Sequence, residues 1–127
     1  MTTRVRLLAI AALVLSVVAC SGGGGAASVS PPADADGSIT AQGTKFLQAD
    51  LKLPADKATK LFFQNLDGQP HNVAIYTDSS ASQKLFVGDV ITNTATTYQV
   101  PAIPAGSYFF RCDVHPTEMT GTVTVGA

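Results

Sequence analysis

Short runs of strand-forming residues, separated by turn-forming residues, fill the chain after its first third. The segment HNVAIYT (71–77) places His71, Val73 and Ile75 on one face of an extended strand, and GTVTVGA (121–127) alternates in the same way. Helical periodicity is not sustained over three turns in any window. The pattern predicts an all-β sandwich or Greek-key barrel. The predicted strands are 38–42, 45–54, 58–65, 71–77, 85–94, 95–101, 106–112 and 121–127.

Composition limits the chemistry that such a fold can perform. The chain has 127 residues, enough for one domain with a modest core. Only 13% of the residues are charged, the net charge is −1, and the sequence has no basic stripe of the kind that nucleic acid binding requires. A β-sandwich built from the last 90 or so residues would be small, so a bound metal would add a useful constraint.

The N-terminal stretch MTTRVRLLAIAALVLSVVAC has the features of an export signal. Arg4 and Arg6 precede an apolar run over 7–19, whose helix would be roughly 20 Å long, short of the ~30 Å that a membrane span needs. We therefore predict a signal peptide over 1–19. The last four residues of the stretch, VVAC (17–20), resemble a bacterial lipobox, which predicts a lipidated Cys20; an ordinary signal peptide cut nearby and an uncleaved anchor are the alternatives.

The segment from Cys20 to residue 37 is rich in Gly, Ser, Ala and Pro and has no apolar periodicity. It predicts a flexible linker between a lipidated Cys20 and a folded domain over 38–127. The expected location is extracytoplasmic, periplasmic or at the cell surface, with the lipid anchoring the protein to the membrane. Loss of Arg4 and Arg6 with the signal leaves six basic and nine acidic residues, a net charge of −3.

The sulfur and imidazole groups are scarce and concentrated. The chain has two Cys, two His and two Met, and one Met is the initiator. Cys112, His115 and Met119 fall on one predicted loop between adjacent strands, and His71 begins an earlier strand after a proline turn. If Cys20 carries lipid, Cys112 is an unpaired thiol in an exported protein, which is a liability unless the thiol is buried or used.

Two imidazoles, one thiolate and one thioether form the donor set of a blue-copper site. Zinc held by the cysteine, the two histidines and a water is an alternative, although it leaves Met119 without a role. A third possibility is a metal-free adhesive β-sandwich, in which Cys112 and Met119 fill the core and His71 lies at the surface.

The segments QPHNVAIY and GSYFFRCDVHPTEMTGTVTV resemble those of the cupredoxins, the small blue copper proteins that include plastocyanin, amicyanin and azurin. This resemblance implies an eight-stranded Greek-key sandwich holding one type 1 copper ion through His71, Cys112, His115 and Met119. It also implies that Asn72 bonds the thiolate through its N–H and ties the ligand-bearing segments together through its side chain.

The resemblance implies a membrane-tethered electron-transfer protein that cycles between Cu(II) and Cu(I), with the edge of His115 as the exit for the electron. Pro70 and Pro116 are candidates for an apolar docking patch around it. The expected partners are redox proteins that dock transiently, with the chain itself a monomer and nucleic acid not a partner.

Two other classes of function are alternatives to electron transfer. An extracytoplasmic copper-binding or copper-delivery protein would use exchangeable Met and His ligands, and the mature chain has too few for a separate exchange site. An enzyme is not expected, because two histidines cannot build the oxygen-reducing cluster of a multicopper oxidase and the sequence has no hydrolase, phosphate-loop or haem-attachment motif.

Overall fold

The computed structural model describes residues 26–126, and within that range the chain forms eight strands in two sheets. This confirms the predicted all-β, eight-stranded sandwich. The part of the chain described contains no helix long and apolar enough to cross a membrane. The predicted signal peptide and Cys20 lie outside the described residues. The strands are β1 (Gly37–Ala41), β2 (Asp50–Leu53), β3 (Thr59–Asn65), β4 (Ala74–Tyr76), β5 (Lys84–Val87), β6 (Thr94–Val100), β7 (Gly106–Arg111) and β8 (Thr120–Val125).

The chain passes repeatedly between the two sheets. One sheet has the order β1-β3-β6 and the other the order β2-β8-β7-β4-β5. The pairs β1/β3 and β2/β8 are parallel, whereas β3/β6, β4/β5, β4/β7 and β7/β8 are antiparallel. Alternate residues of the strands supply a single core between the sheets, as in other β-sandwiches. This topology places the end of β7, the start of β8 and the segment before β4 side by side.

Three strands are much shorter than predicted: the predictions over 45–54, 71–77 and 85–94 correspond to β2, β4 and β5, which have four, three and four residues. Instead of a strand over 45–54, only 50–53 pairs with β8, because the preceding residues form a loop that returns to β1 through a single bridge between Ala41 and Phe46. The Phe46 ring packs against Phe63 and Phe110, with ring centroids 6.4 Å and 5.2 Å away. Packing of Phe46 therefore replaces strand pairing in this loop.

The outer face of β3 is covered. Leu61 and Phe63 belong to the core, so Phe62 and Gln64 face away from it, yet they are only 6% and 2% exposed. The segment 26–36, which we call the strap, lies on this face. The Gln64 amide donates a hydrogen bond to the carbonyl of Ala27 (3.0 Å) and accepts one from the N–H of Val29 (3.4 Å).

The strap is also fixed at its C-terminal end. The N–H of Asp36 donates to the carbonyl of Lys60 (2.8 Å), the N–H of Lys60 donates to the Asp36 carboxylate (2.8 Å), and Lys57 pairs with the same carboxylate (3.1 Å). Lys60 in turn pairs with Asp34. Sequence composition predicts a flexible linker through residue 37; the structure instead begins β1 at Gly37 and ties the residues before it to β3 by these contacts.

Close packing at Gly121 in β8 excludes a side chain. Gly121 lies directly opposite Phe110 of β7. A Cβ atom here would collide with the Phe110 ring and would lie 2.5 Å from the carbonyl oxygen of Ala49. The backbone oxygen cannot easily move, because it accepts a hydrogen bond from the N–H of Thr122 (2.8 Å).

We predict that Gly121→Ala lowers the free energy of unfolding by about 1–3 kcal/mol, the usual penalty of overpacking a core. Gly126→Ala is the matched control, since a Cβ there meets nothing within 4 Å. Urea unfolding of the two variants measures the difference. Equal stability of the two variants would contradict the packing described.

Candidate metal centre

The strand order brings the sequence-predicted donors to one end of the sandwich. Cys112 follows the last residue of β7, and Met119 precedes the first residue of β8. The loop between them is closed by backbone hydrogen bonds, from the N–H of Cys112 to the carbonyl of Met119 (2.9 Å) and from the N–H of Met119 to the carbonyl of His115 (3.1 Å). The second bond forms one helical turn, which folds the loop back over the end of the hairpin.

His71 reaches the same end from another segment. Two backbone hydrogen bonds join it to Ile91, from its N–H to the Ile91 carbonyl (3.0 Å) and from the Ile91 N–H to its carbonyl (2.9 Å). Shortly after it, β4 pairs with β7, so that Ala74 lies opposite Arg111, the residue before Cys112. The predicted strand over 71–77 is thus a single bridge at His71 followed by the short strand β4.

The thiol and the two imidazoles surround a common point. The Cys112 Sγ lies 3.8 Å from Nδ1 of His71 and 4.0 Å from Nδ1 of His115, and the donor atoms of all three residues lie within 4.8 Å of one another. Metal bonds of about 2.3 Å to sulfur and 2.0 Å to nitrogen, opened to about 120°, separate sulfur from nitrogen by about 3.7 Å. The spacing therefore fits three ligands around one ion.

The donors are shielded from water to different degrees. His71, Cys112 and Met119 are fully buried, and Cys112 and Met119 belong to the core cluster. His115 is partly exposed. Its ring lies against that of His71, with centroids 4.8 Å apart and planes inclined by 58°. A set of buried soft donors with one imidazole at the surface can hold a thiophilic metal ion while leaving one edge accessible.

Asn72 connects the two segments that carry these donors. Its N–H points to the Cys112 Sγ at 3.5 Å, and its side-chain oxygen accepts a hydrogen bond from the N–H of Asp113 (2.8 Å). Its side-chain nitrogen donates to the carbonyl of Gly88 (3.1 Å). Asn72 is 2% exposed, so replacement by an apolar residue would leave buried polar groups without partners.

Asp67 holds the far side of the His71 ring. One carboxylate oxygen lies 3.0 Å from Nε2 of His71. The carboxylate also accepts hydrogen bonds from the N–H groups of Gly43 (2.8 Å) and Thr44 (3.1 Å). Both donors have positive φ, 62° and 56°, so the backbone forms a small nest of N–H groups around the negative charge. For Thr44, a β-branched residue, that conformation is strained.

This arrangement fixes the protonation state of the ring. Burial acts to raise the pKa of the Asp67 carboxyl, but the hydrogen bonds from Gly43, Thr44 and His71 outweigh it and lower that pKa. Burial lowers the pKa of His71, against the opposing effect of Asp67. An ionised carboxylate only accepts hydrogen bonds, so Nε2 of the neutral ring carries the proton. The lone pair of Nδ1 is then free and directed toward the thiol.

Sequence reasoning missed Asp67. A carboxylate four residues before a histidine is not a recognisable signal by itself, and the segment DGQPH around Asp67 has the composition of a turn. The nest that orients it comes from the loop after β1, more than twenty residues earlier in the chain. Its role appears only when the two loops are placed together.

The surface around His115 contains apolar residues next to it in the chain. Val114 is 40% exposed, and Pro116 is exposed. Pro70, which precedes His71, is exposed as well. The candidate patch residues named from the sequence are thus at the surface.

The chain is similar to one protein family and to several solved structures. The model of the cupredoxin-like domain matches residues 7–125. No curated protein matches the chain at a significant level. Among solved structures, auracyanin A, a blue copper protein of Chloroflexus aurantiacus, is similar with a TM-score of 0.60 and 19% identity, over 70% of this chain and 96% of that one.

Two further structures extend the comparison. An auracyanin from Roseiflexus castenholzii matches with a TM-score of 0.60 and 16% identity, over 71% of this chain and 95% of that one. Amicyanin from Paracoccus versutus matches with a TM-score of 0.55 and 28% identity, over 80% of this chain and 90% of that one. All three structures share the fold of this chain, and amicyanin is more similar to it in sequence than the two auracyanins are.

The contact between Asp67 and His71 generates a prediction for the metal-free protein. In nitrogen NMR spectra, His71 should carry its proton on Nε2, and Asp67→Ala should mix the two tautomers because the acceptor is lost. Asp89→Ala, which removes the carboxylate of an exposed aspartate, is the control. An unchanged tautomer in Asp67→Ala would contradict the positioning role.

Proposed function

The chain belongs to the cupredoxin-like family, and on that premise we propose that it is a type 1 copper electron-transfer protein. His71, Cys112, His115 and Met119 are the proposed ligands of one copper ion, which supplies a one-electron couple between Cu(II) and Cu(I). The single observation that carries this proposal is the convergence of one thiol and two imidazoles within 4.8 Å, at the end of a sandwich that also buries Met119.

The donor set favours copper over zinc. Thiolate and thioether favour Cu(I), whereas imidazole accepts both oxidation states, so the same four residues suit an ion that changes charge. Zinc sites rarely include a thioether, and Met119 is buried beside Cys112 in the core. With four protein ligands the site leaves no open position for a substrate, unlike a catalytic metal site. We therefore propose an electron carrier and not an enzyme.

The protein's part in electron transfer is to keep the ligands still. Cys112 is held by its own N–H bond to Met119 and by the N–H of Asn72 at its sulfur. His71 is held by Ile91 at its backbone and by Asp67 at its ring. Ligands fixed from both sides change position little when the charge of the ion changes, and a small rearrangement permits fast electron transfer. The N–H of Asn72 also stabilises negative charge on the sulfur.

The electron's route to a partner is through His115. Its partial exposure makes its ring the point at which the buried donors reach the surface. The exposed Val114 and Pro116, next to it in the chain, and the exposed Pro70, next to His71, supply apolar area. A small apolar surface suits weak, short-lived docking of redox proteins, which is the requirement of a carrier that must release each partner quickly.

We propose that the protein acts outside the cytoplasm, exported by the signal peptide over 1–19 and anchored to the membrane by lipid on Cys20. This part of the proposal is supported by the sequence, in which an apolar run too short to span a bilayer ends in VVAC (17–20). A diacylglyceryl group would supply two chains, the number that stable anchoring requires. The folded domain then includes the strap as well as the proposed range 38–127.

The alternative function, copper binding for delivery, requires a ligand set that a recipient protein can reach. Three of the four proposed ligands are fully buried. Their burial favours slow metal exchange, and the partly exposed His115 leaves a route for electrons; this combination suits a carrier.

Addition of Cu(II) to the purified chain tests the proposal. We expect an intense visible absorption from thiolate-to-copper charge transfer and an EPR spectrum with narrow hyperfine splitting. Cys112→Ser should abolish the absorption, because the sulfur donor is lost. A pale solution with the EPR spectrum of a tetragonal site would show that the proposed function is wrong.

His115→Gly tests the assignment of the exposed ligand. The fold should persist, because the ring is partly exposed and the loop is closed by backbone bonds. The variant should bind added imidazole at the copper and change its visible spectrum, whereas the unsubstituted protein should not respond. Lack of response in the variant would remove His115 from the ligand set.

A further inference from the structure

The strap determines which end of the domain is attached to the preceding chain. Its last residues contact Lys57 and Lys60, at the N-terminal end of β3, whereas Ala27 and Val29 contact Gln64, at the C-terminal end. Traced from Gly37 toward the N-terminus, the strap therefore runs along the outer face of β3 from one end of the sandwich to the other. The first described residue, Ala26, lies at the end that β3 reaches at Asn65.

That end is the one that holds the proposed copper ligands. Asn65 donates hydrogen bonds from its side chain to the carbonyls of Gln69 (2.7 Å) and Ile91 (2.8 Å), and Ile91 is the backbone partner of His71. A cavity of about 300 Å³ between the strap and the sheet is lined by Ala26 and, on the sheet side, by Asn93. The N–H of Asn93 donates to the carbonyl of Asp67 (3.0 Å), whose carboxylate contacts His71.

Fixation of the strap makes the tether short. Cys20 and Ala26 are six residues apart, so the chain between them reaches at most about 20 Å in any conformation. A tether free as far as residue 37 would be almost three times as long. The opposite end of the sandwich lies about 23 Å further along β3, which has seven residues.

We propose that the copper end of the domain faces the membrane surface, and that its partner is a redox protein in the same membrane whose electron-transfer site lies at the level of the lipid headgroups. This inference rests on the proposed function, in particular on lipid at Cys20. The buried Gln64 amide holds the strap at the copper end, because the strap supplies hydrogen-bond partners for both its oxygen and its nitrogen there. We call this contact the latch. If the strap were detached from β3, the domain could turn either end toward the bilayer. With the strap bound, His115 faces the membrane surface.

The orientation can be measured without copper. The full lipidated chain, labelled with ¹⁵N, is placed in lipid nanodiscs that contain a gadolinium-chelating headgroup lipid. Amide relaxation should be enhanced most at Gly68, Val114 and Thr117, at the copper end. It should be weakest at Asp56 and Ile103, which hydrogen-bond each other at the opposite end. The difference should exceed about tenfold, because the effect falls with the sixth power of distance and the ends are about 23 Å apart.

Variants identify the cause of this gradient, the decrease in relaxation enhancement from the copper end of the domain to the opposite end. Gln64→Ala should flatten it, because the latch is lost, whereas Gln99→Ala, at an exposed glutamine of β6, should leave it unchanged. A flexible Gly/Ser insertion of about 20 residues between 25 and 26 should flatten it as well, since the coil then spans more than the domain's height. Cys20→Ser should detach the protein from the nanodisc.

Each result bears on a distinct statement. A gradient of the opposite sign, a uniform enhancement, or failure of the full chain to bind the nanodisc overturns the proposed orientation. A gradient of the expected sign that survives Gln64→Ala overturns the latch as its cause. The copper spectra described above are recorded on the same preparation, so a correct orientation without a blue-copper spectrum would reject the proposed function alone.

Discussion

The metal end of this protein depends on the connection between two loops that are remote in sequence, and Asn72 makes that connection. Its side chain bonds the N–H of Asp113 on one side and the carbonyl of Gly88 on the other, and its own N–H faces the sulfur of Cys112. Three contacts from one buried residue fix the distance between the histidine segment and the cysteine loop. Without them, the donors would be brought near each other by the strands but not held in register.

The strands and the donor cluster were accessible from sequence because both depend on local patterns. Alternation in HNVAIYT and GTVTVGA, and turn residues between runs, predict strands where β4 and β8 lie, although β4 has only three residues. The short loop from Cys112 to Met119 brings its donors together in any hairpin of this length. The position of His71 beside this loop could not be predicted from periodicity, because periodicity does not determine strand order. The resemblance to cupredoxins predicted it.

The remaining features depend on contacts between distant parts of the chain. The stretch from residue 45 has a strand-like composition, but the Phe46 ring finds a better site against Phe63 and Phe110 than a continued strand would offer. Asp67 has its role only because the backbone of Gly43 and Thr44 turns toward it. The strap has the composition of a linker, yet the buried Gln64 and the strap's own Asp34 and Asp36 connect it to β3. Composition describes what a segment prefers by itself and not what a neighbouring surface offers it.

A backbone hydrogen bond joins the first and last residues of the loop from Cys112 to Met119 directly. Its interior residues, Pro116 to Glu118, are exposed and take no part in that closure. Substitutions and small changes of length at 116–118 therefore need not disturb the bond between Cys112 and Met119 or the β7–β8 hairpin. The loop behaves as an exchangeable module, and selection could adjust the contact surface beside His115 and the approach of Met119 while the scaffold that supports them stayed the same.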